Sequence, residues 1–458
     1  MGKRLEKMLR DEFKRIELGD KRLETRCQEL AEDLAMDPGR SIPEACSEPA
    51  AIKGAYRFFA NEAVGREDVL RPHYECTQER CRAAQQDIVM IQDTTYLSYA
   101  HHEEVDELGP IGHRPEAQGL LVHSALAVSV DNNETLGLMY QKVWVRQAAP
   151  MGESRWQRRH RHRESQCWTE TLGAIRRAEM RRVIHIGDRG EDIYEVLQDL
   201  TDHQERFVIR GSWNRCLVDE PEHLFEAVRQ TMPLGKLGVD LPARAGQKAR
   251  GALLTIRACR LRVKAPRMMG RTIASLEVNV VEALEEHPPG GQKALHWRLL
   301  TSEAIDTLEA CIGVVRLYNR RWKIEEFHKA LKTGCQVEER RLETRHGLEI
   351  FLSIADVIST FLLRMRDVAR DGSSSATPFL TISQVALLRY KFPHLKRNPS
   401  VQDALRAVAQ LGGFMGRKRD GHPGWITLWR GMRRLIDMDL GFHMAKSILS
   451  PTTTATCG

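Results

Sequence analysis

The sequence lacks the features that mark secreted, membrane-embedded or zinc-held proteins. Across 458 residues no run approaches the about 18 consecutive apolar residues that a membrane span requires. The opening Met-Gly-Lys-Arg leads into mixed charge, not the apolar core of a secretory leader. Ten cysteines occur, at positions 27, 46, 76, 81, 167, 216, 259, 311, 335 and 457, and none forms a Cys-x-x-Cys pair. That scatter argues against a zinc site of ordinary spacing. Disulfides are disfavoured in a reducing cytosol, and a chain this long does not need them. The cysteines therefore read as small core or surface residues, and the expected compartment is the cytoplasm. Extreme charge is missing too. The net +7 is mild, so any phosphate binding must come from local clusters of Lys and Arg.

What is present is an ordinary globular composition, 42% hydrophobic and 29% charged, in a chain too long for one core. Two or three domains are expected. Residues 1–70 show helical apolar spacing and recurrent bases: Lys3, Arg4, Lys14, Arg15, Lys21, Arg22, Lys53 and Arg57. Such a module suits recognition of a DNA end, although charge alone fits a solvated helical surface equally well. From residue 86 the pattern changes. Ile88–Gln92 is a short apolar strand running into Asp93, and 120–130 and 136–145 form a hairpin across Asp131-Asn132-Asn133. A helix over 164–180, a strand Val183–Gly187 ending at Asp188, a helix over 191–200 and a strand 206–210 follow. This is the element order of a ribonuclease-H-like α/β core.

Residues 212–300 read as an inserted β subdomain. Between Lys236 and Arg271 they carry ten basic residues against one acidic residue, Asp240, which favours a nucleic-acid surface. A second basic run, Arg155–Arg163, reads as a loop that orders on DNA. From Ser302, a good N-cap, one long helix is expected to reach Lys332 and stop at Thr333-Gly334. Helices over 347–370 and onward to 447, a polar break at 371–375 and a disordered tail complete the chain.

Inside the long helix stand Tyr318, Arg321, Glu325 and Lys332. Offsets of 3, 7 and 14 bring them within about 60° of one another on a helix, and Lys329 falls on the same stripe. A polar stripe is usually a solvated face, but this one gathers a carboxylate, a phenol, an Arg and two Lys. Phosphodiester hydrolysis needs an activated water and stabilised attacking and leaving oxygens, which two cations flanked by carboxylates supply. Magnesium takes oxygen ligands and retains waters, so three carboxylates suffice. Asp93 and Asp188 each follow an apolar strand, and Glu325 can approach from the helix. Singly, an Asp after a strand is most often a turn residue. Together, and in this element order, the three point to metal-assisted phosphoryl chemistry.

The sequence resembles the DDE cut-and-paste transposases of the insertion-sequence-four family, which includes the Tn-five transposase. The resemblance is carried by Asp93-Thr-Thr-Tyr-Leu-Ser-Tyr99, Gly187-Asp-Arg-Gly-Glu-Asp-Ile193, Glu205–Arg210, Trp297–Glu303 and the Tyr-Arg-Glu-Lys signature within Tyr318–Gly334. Gly54–Phe58 and Leu411–Met415 also match, so nearly the whole chain is covered, although matches thin between 371 and 400. The family implies that Asp93, Asp188 and Glu325 bind Mg²⁺, with Mn²⁺ able to substitute. It implies that Tyr318, Arg321 and Lys332 hold phosphates, that Trp297 stacks on a flipped base, and that Arg210, Lys329 and Arg341 contact phosphate. The implied domains are a DNA-end-binding domain (1–70), a ribonuclease-H-like core (71–370) and a helical dimerisation region (371–458). The implied reaction is nicking at transposon-end DNA, hairpin formation and joining to target DNA, by a homodimer on paired ends. The alternatives are an inactive transposase-derived DNA-binding inhibitor and a ribonuclease-H-like nuclease without strand transfer.

Overall fold

The computed structural model describes residues 3–449 apart from 37, 47, 100–104, 106, 113–116, 147–151, 153, 155–163, 242–249, 267–273, 369–375, 377–378 and 418–419. The basic run Arg155–Arg163, the polar break at 371–375 and the tail lie outside the described residues. Among those described, ten strands join in one sheet: β1 (Ile88–Ser98), β2 (Gly109–Pro110), β3 (Gln118–Ser129), β4 (Thr135–Trp144), β5 (Val183–Gly187), β6 (Arg206–Arg210), β7 (Gly235–Leu241), β8 (Arg250–Val263), β9 (Leu276–Leu284) and β10 (His296–Thr301). Their order is β2-β3-β1-β5-β6-β10-β9-β8-β7, and β4 also pairs with β3.

The parallel trio β1-β5-β6 with the antiparallel β3–β4 hairpin at its flank gives the expected core order. Strand β1 is apolar on both faces because both are covered. Val89 and Ile91 share a buried cluster with the helix Arg345–Val368, while Ile88 and Met90 pack with Ile175 of the helix Gln166–Arg177.

One expectation is refined and one needs correction. The 212–300 segment, expected as an inserted β subdomain, builds its strands onto the core's own sheet. Strand β10 pairs antiparallel with β6, Leu299 opposite Arg210, and β9, β8 and β7 continue the same sheet. Left alone, β6 would present a row of unpaired backbone groups, and β10 covers that edge. The long helix from Ser302 to Lys332 is also broken. Ser302 is tied to the sheet, its hydroxyl accepting from Phe207 N at 2.9 Å, and Thr307 caps a helix Leu308–Asn319 instead. Around Arg320 and Arg321 the backbone bonds run to the third residue back (Arg321 N to Tyr318 O, Ile324 N to Arg321 O). A helix Trp322–Lys329 then leads into a π-helical turn, Ala330–Gly334. Tyr318 and Glu325 therefore lie on separate helices, not on one stripe.

The N-terminal helices are joined to the core by a buried ionic knot. Glu12, 2% exposed, accepts from His73 Nδ1 (2.7 Å), Arg80 Nη1 (2.7 Å) and Arg364 Nη1 (2.6 Å). These partners belong to the helices Arg66–Ala83 and Arg345–Val368. Burial alone would raise the Glu12 carboxyl, but His73, Arg80 and Arg364 outweigh it and hold it at about 2. Because the folded-state value lies below the unfolded one of about 4.3, the stabilisation is present above that pH and disappears as pH falls toward 2. Glu12→Gln is expected to lower the unfolding free energy at neutral pH by about 3–5 kcal/mol, measured by urea denaturation. The gap from wild type should close across that acid range, and a constant gap would show that ionisation of Glu12 is not its source.

Candidate active site

The last described pair between β1 and β5 is Ile91 with Ile186. Two residues further on each strand stand Asp93 and Asp188, so the parallel register sets these carboxylates side by side. Asp93 does not follow its strand, as expected, but lies within it, because β1 continues beside β3 to Ser98 with Asp93 opposite Ser124. Strand β5 stops at Gly187, leaving Asp188 at the turn that follows. Burial, then the neighbouring Asp188, push the Asp93 carboxyl up to about 7; Arg321 opposes the shift and Glu325 adds to it. Asp93 therefore feels both of the other acids of the predicted triad.

Arg321 mediates between two of them. Its Nη1 lies 3.7 Å from Asp93 Oδ2, and its Nη2 donates to Glu325 Oε1. The carboxylates meanwhile take local donors: Asp93 Oδ1 accepts from Thr94 N at 2.8 Å and Asp188 Oδ1 from Gly190 N at 2.7 Å. Among the described residues no three His, Cys, Asp or Glu side chains stand close enough to enclose a metal ion. The donor set is nonetheless of the right chemistry for a hard divalent cation, being all carboxylate oxygen, with the Arg321 guanidinium standing where positive charge is required.

The other predicted residues divide into groups. Lys332, in the π-helical turn, donates to Tyr96 O and lies 3.6 Å from Glu338 Oε1, so it stands beside the site end of β1. Tyr318 is buried, edge-on to Trp297 with centroids 5.6 Å apart, and Arg210 lies alongside its hydroxyl. Trp297 is 6% exposed, so in this conformation it is a core aromatic and presents no open stacking face. Lys329 and Arg341 are exposed on the surface.

Models of three protein families match this chain. A transposase DNA-binding model matches residues 6–64, a transposase DDE domain 160–362, and a Tn5 transposase dimerisation domain 381–452. The chain belongs to the Tn5-type DDE transposases. The DDE match includes Asp188 and Glu325 and begins after Asp93. Among solved structures, the chain is similar to a piggyBac transposase synaptic complex with hairpin DNA, at 10% identity and a TM-score of 0.38, covering 98% of this chain and 80% of that one. At that score the likeness carries no argument. No described helix of the transposase is long and apolar enough to cross a membrane.

Several residues around the transposase site escaped the sequence. Trp322 is 37% exposed beneath the Arg321 guanidinium, which lies 5.1 Å from its ring centroid, and Trp213 is 65% exposed just beyond β6. Exposed Trp has no sequence signature, since a Trp in a strand-rich segment reads as core. The Trp213 loop is held by Asp192, which is fully buried. Its Oδ2 accepts from Trp213 N at 2.9 Å and from Ser212 N, and its Oδ1 accepts from Arg215. Glu191 beside it is also fully buried, its carboxyl pushed up to about 8 by burial, then by Asp188 and Asp93.

Asp192→Ala leaves two backbone donors and a guanidinium without their acceptor, freeing the loop that follows Arg210. We expect cleavage of matched end duplexes to slow on the order of 10²-fold through misplacement. Proteolysis within 211–215 should accelerate while the global fold persists. Unchanged rates with an equally resistant loop would show that Asp192 positions nothing.

Proposed function

We propose that this chain excises a transposon through a DNA hairpin and joins its 3′ ends to target DNA by two-metal phosphoryl transfer. The observation that carries this reading is the register that sets Asp93 beside Asp188, with Arg321 joining Asp93 to Glu325. Asp93, Asp188 and Glu325 would hold Mg²⁺, with Mn²⁺ as substitute, and such ions supply an activated water and neutralise charge on the attacking and leaving oxygens. Arg321 then exchanges its carboxylate partners for a phosphate, which its planar fork fits bidentately. Lys332 and Arg210 flank the same site and, with Lys329 and Arg341 on the surface, hold the backbone on either side of the scissile bond.

A hairpin requires a base to leave the stack, and an aromatic ring steadies it. Trp297 takes that role only by leaving its contact with Tyr318, whereas Trp322 and Trp213 already present rings to solvent. The N-terminal helices would bind the transposon end. Pairing of ends would follow from a homodimer through the C-terminal helix Trp425–Leu449, whose outer half exposes Leu440 (62%), Met444 (58%) and Ile448 (76%) at four-residue spacing. Such an apolar stripe on a helix is a partner-binding face.

Incubation with matched end duplexes and Mg²⁺ should yield nicked and then hairpin product. Asp188→Ala should abolish both while end binding, read by gel shift, survives. Normal cleavage by that variant would refute the assignment of Asp188, and wild-type nicking without hairpin or joined product would reduce the protein to a nuclease. Binding without any cleavage by wild type would mark an inhibitor.

Leu440→Glu with Met444→Glu should shift the protein from dimer toward monomer in sedimentation with end DNA while leaving single-end binding intact. A dimer that persists places the contact elsewhere.

A further inference from the structure

Beneath the two aspartates lies a carboxylate that the triad does not use. Glu191 follows Asp188 by three residues, and its N–H bonds back to Asp188 O at 3.2 Å, folding the side chain inward under the sheet edge. Its Oε1 accepts from Gln92 Nε2 at 3.3 Å. Gln92 Oε1 meets His123 Nε2 at 3.1 Å, and His123 Nδ1 meets Thr94 Oγ1 at 2.8 Å. Gln92 and Thr94 are the two neighbours of Asp93 in β1, so this chain begins at Glu191 and runs along the sheet face behind Asp93. The remaining oxygen, Glu191 Oε2, is buried without any hydrogen-bond partner. It lies against Gly187, the residue before Asp188, where a Cβ would come within 1.5 Å of it. Only a glycine leaves that space.

A carboxylate that is fully buried and half-satisfied is costly, and placing it against two further acids raises the cost. Gln or Leu would serve packing better. The arrangement is accounted for if Oε2 has a partner of positive charge.

We propose that Glu191 is a fourth acid of the divalent-cation site, its Oε2 completing the oxygen set behind Asp93 and Asp188. The inference rests on the reading of those two aspartates as cation ligands. Four carboxylates, Asp93, Asp188, Glu191 and Glu325, balance the charge of two divalent ions, which three do not. The chain Gln92–His123–Thr94 fixes the orientation of the Glu191 carboxyl, as supporting hydrogen bonds do around metal ligands.

The test is titration of the full chain, without DNA, with MnCl₂, followed by the electron paramagnetic resonance of free Mn²⁺ and by thermal melting. The proteins are wild type, Glu191→Gln and Asp188→Asn. Glu191→Gln keeps the shape and the acceptor for Gln92 while removing the buried acid, so it should melt at or above the metal-free wild type. Its Mn²⁺ affinity should nevertheless fall about 10–100-fold, and Mn²⁺ should no longer raise its melting point. Asp188→Asn should lose Mn²⁺ likewise. Wild-type Mn²⁺ affinity in Glu191→Gln alongside loss in Asp188→Asn overturns the fourth acid alone. Undiminished affinity in both overturns the cation reading of the aspartates and this inference with it. Should Glu191→Gln melt lower, Glu191→Asp, which keeps the charge but withdraws the oxygen, decides: retained Mn²⁺ affinity overturns the proposal, and loss supports it.

Discussion

Two carboxylates held side by side on neighbouring parallel strands govern the centre of this molecule. Pairing of β1 with β5 fixes Ile91 against Ile186, and a parallel ladder allows no slip without turning every buried side chain to the wrong face. Asp93 and Asp188 are therefore adjacent because the core is well packed, not because they attract. Their repulsion, together with burial, raises the Asp93 carboxyl to about 7. The surroundings answer that strain. Arg321 reaches Asp93 from the break between two helices, and each Asp takes one backbone N–H from its own loop or strand. A continuous helix from Leu308 onward would have held Arg321 on the turn dictated by Tyr318, which is buried against Trp297. At the interruption Arg321 faces Asp93 and Glu325, while Tyr318, though buried against Trp297, keeps its hydroxyl near Arg321 and Asp188.

The sequence showed those parts of the fold whose cause is local. Apolar runs such as Ile88–Ile91 and Val183–Ile186, each leading to an Asp, give the strands and the acids together, and the order of elements gives the core. Other features were illegible because their cause lies far along the chain. Strands β7–β10 alternate recognisably, but nothing in their own residues says that β10 joins the edge of β6. The break at Arg320–Arg321 contains neither Pro nor Gly, so no residue in it announces a helix end. Trp297 carried two opposite readings, and packing against Tyr318 gives the one that composition alone would favour. Glu191 looked like the start of a helix, and only folding shows it turned under the sheet. Arg341 and Lys329, read as phosphate contacts, stand where solvent or a polyanion can reach them.

Support for the site extends outward through buried charge. Glu12 ties the first helix to the helices Arg66–Ala83 and Arg345–Val368, and Val89 and Ile91 of β1 belong to the same buried cluster as the latter. Asp356 of that helix accepts from Gln141 of β4 at 2.8 Å. Helix Arg345–Val368 thus touches the N-terminal module, the hairpin flank and the face of the strand that carries Asp93. Residues 6–64, which match the transposase DNA-binding model, are thereby joined through this helix to the DDE core. On the proposed reading, such coupling would hold a bound end in one position relative to the carboxylates, as catalysis by orientation requires.

Charge differs in sign between the acidic centre of the site and the basic residues read as phosphate contacts. The chain as a whole carries +7; Lys332 stands beside Tyr96 of β1, Arg210 beside Tyr318, and Lys329 and Arg341 are exposed. Its centre gathers Asp93, Asp188, Glu191 and Glu325 against the single guanidinium of Arg321. A polyanion is drawn to the rim by the first set and kept from the acids by the second. Its phosphate reaches the carboxylates only where further positive charge neutralises both. On the proposed reading, removal of any one acid would weaken cation binding at the centre and leave the basic residues outside it unchanged, so cleavage and DNA binding would separate.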